Sequence, residues 1–295
     1  MPVIDIRHLT KYYGKSPGIE DLTLGVGRGE IFGFLGPNGA GKSTTIRLML
    51  NLLRPSSGEV KLFGQNVRTH YAALFQAIGN VPGELKLYEN LTGRSFLTHM
   101  NRFSRKAPVF QEDLLHAFDL STIDLNRKIK DYSHGMKQKL GIIQALQEGP
   151  DLVIMDEPSE GLDPINKMVL YDWLRHLKSM GKTIFFSSHY LAEVEKICDR
   201  VGLVREGRLI AEESVSSLKE KMVRRMEVSF ARPVPAKAFH LDNTKILEQD
   251  PGRLVLTVGG DINPLLKQIS KYEVTNLVFP EPSLEETFMT FYREK

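Results

Sequence analysis

Nine residues, Gly36-Pro37-Asn38-Gly39-Ala40-Gly41-Lys42-Ser43-Thr44, constrain this chain more than anything else in it. They fit G-x-x-x-x-G-K-[ST], the spacing of a phosphate-binding loop. The flanks agree with that reading. Ile31-Phe32-Gly33-Phe34-Leu35 predicts a buried strand leading in, and Ser43 to Leu53 predicts a helix leading out. Glycines let the backbone curl until successive N–H groups aim inward at a polyphosphate. The N-terminus of the following helix adds partial positive charge at the same point. Lys42 is then placed to reach the β- and γ-phosphates, and the Ser43 hydroxyl to ligate Mg²⁺. The stretch predicts an α/β fold that binds a nucleoside triphosphate.

Two later stretches deliver polar residues in a matching way. Leu152-Val153-Ile154-Met155 is an unbroken apolar run that ends in Asp156-Glu157. Continuous hydrophobicity predicts a central parallel strand buried on both faces. Carboxylates at its carboxyl end stand where ligands bind in open α/β sheets. Asp156 is placed to hold Mg²⁺, directly or through water, and Glu157 to polarise an attacking water. Thr183-Ile184-Phe185-Phe186-Ser187-Ser188-His189 repeats the pattern, so His189 is placed to hydrogen-bond a γ-phosphate.

Bulk properties exclude several classes. Lys plus Arg is 39 and Asp plus Glu is 36, a net charge of +3, which gives no case for a nucleic-acid partner. Cys198 is the only cysteine, so no intrachain disulfide and no cysteine zinc cluster is expected, and a reducing compartment suits it. Met1 to Gly14 mixes charges into its apolar residues and has no signal-peptide core. No apolar run is long enough to cross a bilayer.

Strands are predicted at Val3–Leu9 and Leu22–Val26, with Lys11-Tyr12-Tyr13-Gly14 as a loop between them. A tyrosine there either stacks on a purine or covers a sheet edge. Glu59–Leu62 reads as another strand. Helical patterning then runs from about Leu85 to Gly149, with helices at Thr92–Phe103, Val109–Phe118 and Met136–Gln147. Ser133 is placed to cap the last of these, whose stripe of Met136, Leu140, Ile143 and Leu146 reads as core. Val201–Val204 is a short strand. Lys219 to Arg225 is a basic stretch at a junction, suited to a solvated face or to acidic lipid head groups. Beyond it Arg225–Phe230, Leu254–Val258 and Val274–Phe279 read as strands and Ile262–Tyr272 as a helix. A last helix places Leu284, Phe288, Phe291 and Tyr292 on one face. Residues 225–295 are thus expected to form a small α+β domain.

Taken in order, these motifs resemble the ATP-binding cassette (ABC) family over residues 1 to about 220. The resemblance implies a P-loop NTPase cassette: a mixed β-sheet core, an antiparallel β subdomain and a helical subdomain at about 84–148. Tyr13 matches the aromatic that stacks on adenine. Gly36 to Thr44, with Asn38, Gly39, Gly41, Lys42, Ser43 and Thr44, is similar to Walker A, and Leu152 to Asp156 to Walker B. Glu157 matches the catalytic base, Gly161-Leu162-Asp163 the D-loop and His189 the switch histidine. Tyr132-Ser133-His134-Gly135-Met136-Lys137-Gln138 resembles the signature motif, with Ser133 and Gly135 as nucleotide contacts.

What the family implies goes beyond one chain. Two cassettes pack head to tail around ATP and Mg²⁺, each signature facing the other's Walker A loop. ATP favours closure and hydrolysis reverses it. Leu87 to Thr92, Gly161 to Pro164 and the ending Ser283 to Phe288 look like ATPases of the ABC-2 export class. Those serve separate transmembrane permease subunits from the cytoplasmic face of the membrane, and Tyr88, Leu91 and Phe96 are candidates for that contact. The competing reading is a soluble ABC ATPase acting on ribosomes or nucleic acid, and a third is a cassette that binds ATP but barely hydrolyses it. Two departures stand out: Gly83 where Gln is usual, which predicts slower or more partner-dependent hydrolysis, and His134 where Gly is common. A positive φ at 134 would make histidine mildly costly there.

Overall fold

The computed structural model describes residues 2–104, 106–221 and 224–280. The chain divides into two compact units, Met1–Glu213 and the remainder from Ser214.

The first unit opens with a hairpin, β1 (Ile4–Tyr13) and β2 (Ser16–Val26). Tyr12 pairs with Pro17 and Tyr13 with Ser16, so β1 continues through the stretch expected to be a loop. The turn is confined to residues 14–15, with Gly14 at φ 61° supplying the left-handed bend. That expectation is corrected: the tyrosines are strand residues at a hairpin tip. β3 (Ile31–Leu35) and α1 (Lys42–Met49) follow, and then β4 (Ser57–Leu62), β5 (Gln65–Asn66), α2 (Val67–Phe75) and β6 (Ile78–Val81).

Four helices come next: α3 (Gly93–Asn101), α4 (Gln111–Ala117), α5 (Thr122–Asn126) and α6 (His134–Leu146). The chain then returns to strand–helix alternation with β7 (Leu152–Asp156), α7 (Pro164–Ser179), β8 (Thr183–Ser188), α8 (Leu191–Ile197), β9 (Arg200–Arg205) and β10 (Arg208–Ser214).

These strands make two sheets. A four-stranded antiparallel sheet has the order β2-β1-β4-β5, and a six-stranded sheet has the order β10-β9-β3-β8-β7-β6. In the second sheet β9, β3, β8, β7 and β6 run parallel. Every residue of β3, β7 and β8 is buried, as helices on both faces of a parallel sheet require. The core between the sheets stacks Phe32 on Phe185 at 5.9 Å, with Phe34 tilted at 5.4 Å from Phe185. Each such ring contributes about 1.5–3 kcal/mol by leaving water. In α6, Leu140, Ile143 and Leu146 of the expected stripe are fully buried, whereas Met136 in its first turn is only half-buried.

The second unit carries α9 (Val215–Lys221), β11 (Arg224–Phe230), β12 (Thr244–Asp250), β13 (Arg253–Val258), α10 (Asn263–Ile269) and β14 (Val274–Val278). Its antiparallel sheet has the order β12-β13-β11-β14. Met226, Val228, Leu254 and Leu256 form a core of its own with Phe239 and Leu265. The helix expected to align Leu284, Phe288, Phe291 and Tyr292 lies outside the described residues.

Candidate functional site

Sheet register sets the chemistry in one row. Leu35 lies opposite Ser188 and Asp156 opposite Ser187, so β3, β8 and β7 finish level. The phosphate-type loop leaves β3 there, Asp156-Glu157 leaves β7, and His189 leaves β8 between them.

In the loop, Gly39 and Gly41 take φ values of 81° and 104°, a region closed to most side chains. A Cβ at Gly41 would stand 2.8 Å from the Gly18 carbonyl, so the close approach is also steric. Lys42 begins α1 and is 5 % exposed. Its ammonium donates to the Gly36 carbonyl at 2.7 Å and the Pro37 carbonyl at 3.1 Å, and pairs with Glu157 Oε1 at 3.0 Å. The other Glu157 oxygen, Oε2, is hydrogen-bonded to His189 Nδ1. Glu157 therefore bridges the loop lysine and the strand-end histidine.

Asp156 is 5 % exposed and accepts from Ser187 Oγ at 2.6 Å. The same Ser187 hydroxyl accepts from the Glu157 N–H at 3.0 Å. A cavity of about 460 Å³ brings together Asn38, Ser43, Gly83, Asp156, Glu157 and His189. A serine hydroxyl and a carboxylate are hard oxygen donors, so Ser43 and Asp156 in one cavity fit Mg²⁺. Glycine at 83 opens the space beside Asp156: a Cβ there would stand 3.1 Å from Oδ2. Glu84 lines the same cavity and is 3.7 Å from Lys86.

Tyr13 reaches the loop from the hairpin tip. Its hydroxyl lies 3.4 Å from Thr44 Oγ1, and Lys11 Nζ stands 5.5 Å from its ring centroid. The ring is about half exposed, at 47 %. An exposed aromatic face next to the phosphate loop suits a base.

Ser133 and Gly135 do not line that cavity. Ser133 is the N-cap of α6 and accepts from the Met136 N–H at 3.2 Å, as its position before the helix predicts. His134 is the first residue of α6 and is not among the described non-glycine residues with positive φ. No left-handed cost attaches to histidine there. Its ring instead crowds Gly161, where a Cβ would meet His134 Cδ2 at 2.2 Å. The D-loop ends at Asp163, the N-cap of α7, whose carboxyl is held below its usual range by the Asn166 N–H and then the Asn166 side chain.

Sequence reasoning missed three residues that brace this edge: Ser187, Gln138 and Glu193. Gln138, one turn into α6, donates to the Pro158 carbonyl at 2.9 Å and so ties the signature helix to the residue after Glu157. Its signal was its place at the end of the signature-like stretch, where it was given no role of its own. Elsewhere, a groove of about 830 Å³ among residues 87–102 is lined by Tyr88, Leu91, Arg94, His99 and Arg102. Tyr88 is exposed, whereas Phe96 is 4 % exposed and is a packing residue.

A phosphate-type loop, an acidic strand end and a histidine on one parallel sheet, with an inserted helical segment, define a P-loop nucleotide-binding cassette. Comparison with known proteins is consistent with that class. The sequence profile described as ABC transporter matches residues 19–160. The bacitracin transport ATP-binding protein BcrA of Bacillus licheniformis is 33% identical, covering 97% of this chain and 96% of its own. The Nod factor export ATP-binding protein I of Burkholderia orbicola is 35% identical over 79% of this chain and 78% of its own. A solved ATP-binding subunit of an ABC transporter, 30% identical, superposes with a TM-score of 0.69 over 74% of this chain and 92% of its own. The chain belongs to the ABC transporter ATP-binding family, and it is an ATPase.

Proposed function

We propose that this chain is the ATP-hydrolysing subunit of an ABC exporter, working as a nucleotide-closed head-to-tail homodimer on the cytoplasmic face of a membrane beside separate permease subunits. The observation that carries it is the Lys42–Glu157–His189 chain, set in one cavity with Ser43 and Asp156. Tyr13 takes the adenine face. The N–H groups of the loop, with Asn38, Gly39, Gly41 and Thr44, cradle the phosphates. Ser43 and Asp156 would hold Mg²⁺, which neutralises phosphate charge when bound.

Glu157 is the base and His189 orients it and the γ-phosphate. A triphosphate offers Lys42 a more highly charged partner than one carboxylate. Substrate binding therefore frees Glu157 Oε1 to accept a proton from water. Ser133 and Gly135 stand apart from this cavity within one chain, at a helix start whose free N–H groups suit an anion. A second copy turned about a two-fold axis supplies them to the γ-phosphate. The groove around Tyr88 and Leu91 receives the permease. Glu89 beside it pairs with Lys137 of α6 at 2.7 Å, which links that groove to the signature helix.

The test is steady-state ATPase activity of the wild type against Glu157→Gln. Loss of the base is expected to lower kcat at least about a hundredfold while ATP still binds. Equal rates would refute the assignment. Among the described residues no helix is long and apolar enough to cross a membrane. Co-purification with a multi-span protein supports the permease partner, and recovery with ribosomes or nucleic acid opposes it.

A further inference from the structure

One buried carboxylate belongs to none of the motifs. Glu193 lies on α8, four residues beyond His189, and is 7 % exposed. A carboxylate out of water needs partners for its lone pairs, and this one has them. Oε2 accepts from Ser159 Oγ at 2.8 Å and from Ser188 Oγ at 2.9 Å, while Oε1 pairs with Lys167 Nζ of α7 at 2.9 Å.

The identity of those two serines matters. Ser159 is two residues past Glu157, and Ser188 immediately precedes His189. The Ser188 hydroxyl also accepts from the Tyr190 N–H at 2.9 Å, so its bonds bracket the histidine. Glu157 itself sits at φ 48°, a left-handed conformation that a residue with a Cβ keeps only when its surroundings enforce it. Ser187 holds its N–H, Gln138 holds the carbonyl of Pro158, and Glu193 holds Ser159.

We propose that Glu193 is a positioning residue: one carboxylate oxygen, shared by Ser159 and Ser188, locks the loop carrying Glu157 to the loop carrying His189. The proposal rests on the reading of Glu157 and His189 as the hydrolytic pair. Without the lock, each loop relaxes separately. The carboxylate and imidazole then meet the γ-phosphate in the wrong geometry, although the phosphate loop on β3 still binds nucleotide.

The test uses the full chain and two variants. Ser159→Ala with Ser188→Ala removes the shared bonds but keeps the Glu193–Lys167 pair. Val194→Ala, on the same helix, removes buried packing and leaves the bonds intact. The serine pair is expected to lower kcat about tenfold or more, with MgATP affinity within about threefold, because misplacing reacting groups costs rate rather than binding. Its His189 ring ¹⁵N shifts, which report the Nδ1 hydrogen bond to Glu157, are expected to move. Val194→Ala is expected to lower Tm and keep both kcat and those shifts. A serine pair with wild-type kcat and unmoved shifts overturns the proposal, as does a Val194→Ala variant that loses rate equally. A wild type without ATPase activity overturns the functional reading instead. The ¹⁵N shifts then still decide the lock, moving in the serine pair if it exists and staying if it does not.

Discussion

Gly83 faces Asp156 with no side chain between them, and a Cβ there would crowd Oδ2 at 3.1 Å. Glutamine is sterically admissible only if Asp156 gives by a few tenths of an ångström. Gly83→Gln is therefore expected to change the ATPase rate several-fold and to shift its Mg²⁺ dependence. A variant identical to wild type in both would show that Gly83 has no part in hydrolysis. Glu193 gives a prediction about pH. Burial pushes its carboxyl up, but Lys167, Ser159 and Ser188 more than offset that and hold it below the ordinary carboxylate range of about 4. A carboxyl depressed in the folded state contributes fully above its unfolded value and loses that contribution as pH falls through the folded one. Melting temperature should thus fall less steeply with acid in Glu193→Gln than in wild type, most visibly below about pH 4.5. Equal acid slopes would contradict the ionised, partnered carboxylate. Residues set by motif spacing, from Lys42 to His189, were legible in the sequence. Glu193 was not: it follows His189 among other charges, Glu195 and Lys196, in a stretch that was given no element, and nothing local says which charge turns inward.

Elements followed the same division. Runs with no polar interruption, such as Leu152–Met155, declared themselves as central strands, and α6 declared itself by its stripe and its Ser133 cap. α7 was missed although Asp163 caps it and Pro164 occupies its first turn, because Asp163 was read only as the end of the D-loop and Pro164 only as part of a family-like stretch. Tyr12 and Tyr13 were assigned to a loop because their strand gains its pairing from a hairpin partner, a relation that local pattern does not carry. Two serine caps give a matched experiment. Ser121 caps α5 in a capping box with Asp124, and Ser133 caps α6. Replacing either with Ala is expected to cost about 1 kcal/mol of stability. Only Ser133→Ala should also lower ATPase activity, by about tenfold, since only that helix start is assigned to a phosphate. If both variants keep wild-type turnover, Ser133 is a cap and nothing more.

At the scale of the whole molecule, the first unit gathers Ser43, Asp156, Glu157 and His189 in one cavity but keeps Ser133 and Gly135 out of it. Under the proposed function, a second copy of the chain supplies those two residues. The second unit, with its separate core, was expected only as a small α+β domain, and no pattern in it pointed to chemistry. The permease reading depends on a partner whose chemistry this sequence does not contain. Dimerisation is within its reach, and the measurement is the mass in solution of Glu157→Gln by light scattering with ATP, with ADP and without nucleotide. The account predicts a dimer with ATP alone, returned to monomer when Ser133→Arg is added to block the shared phosphate site. A Glu157→Gln chain that binds ATP yet stays monomeric at every concentration, or a dimer indifferent to Ser133→Arg, would contradict it.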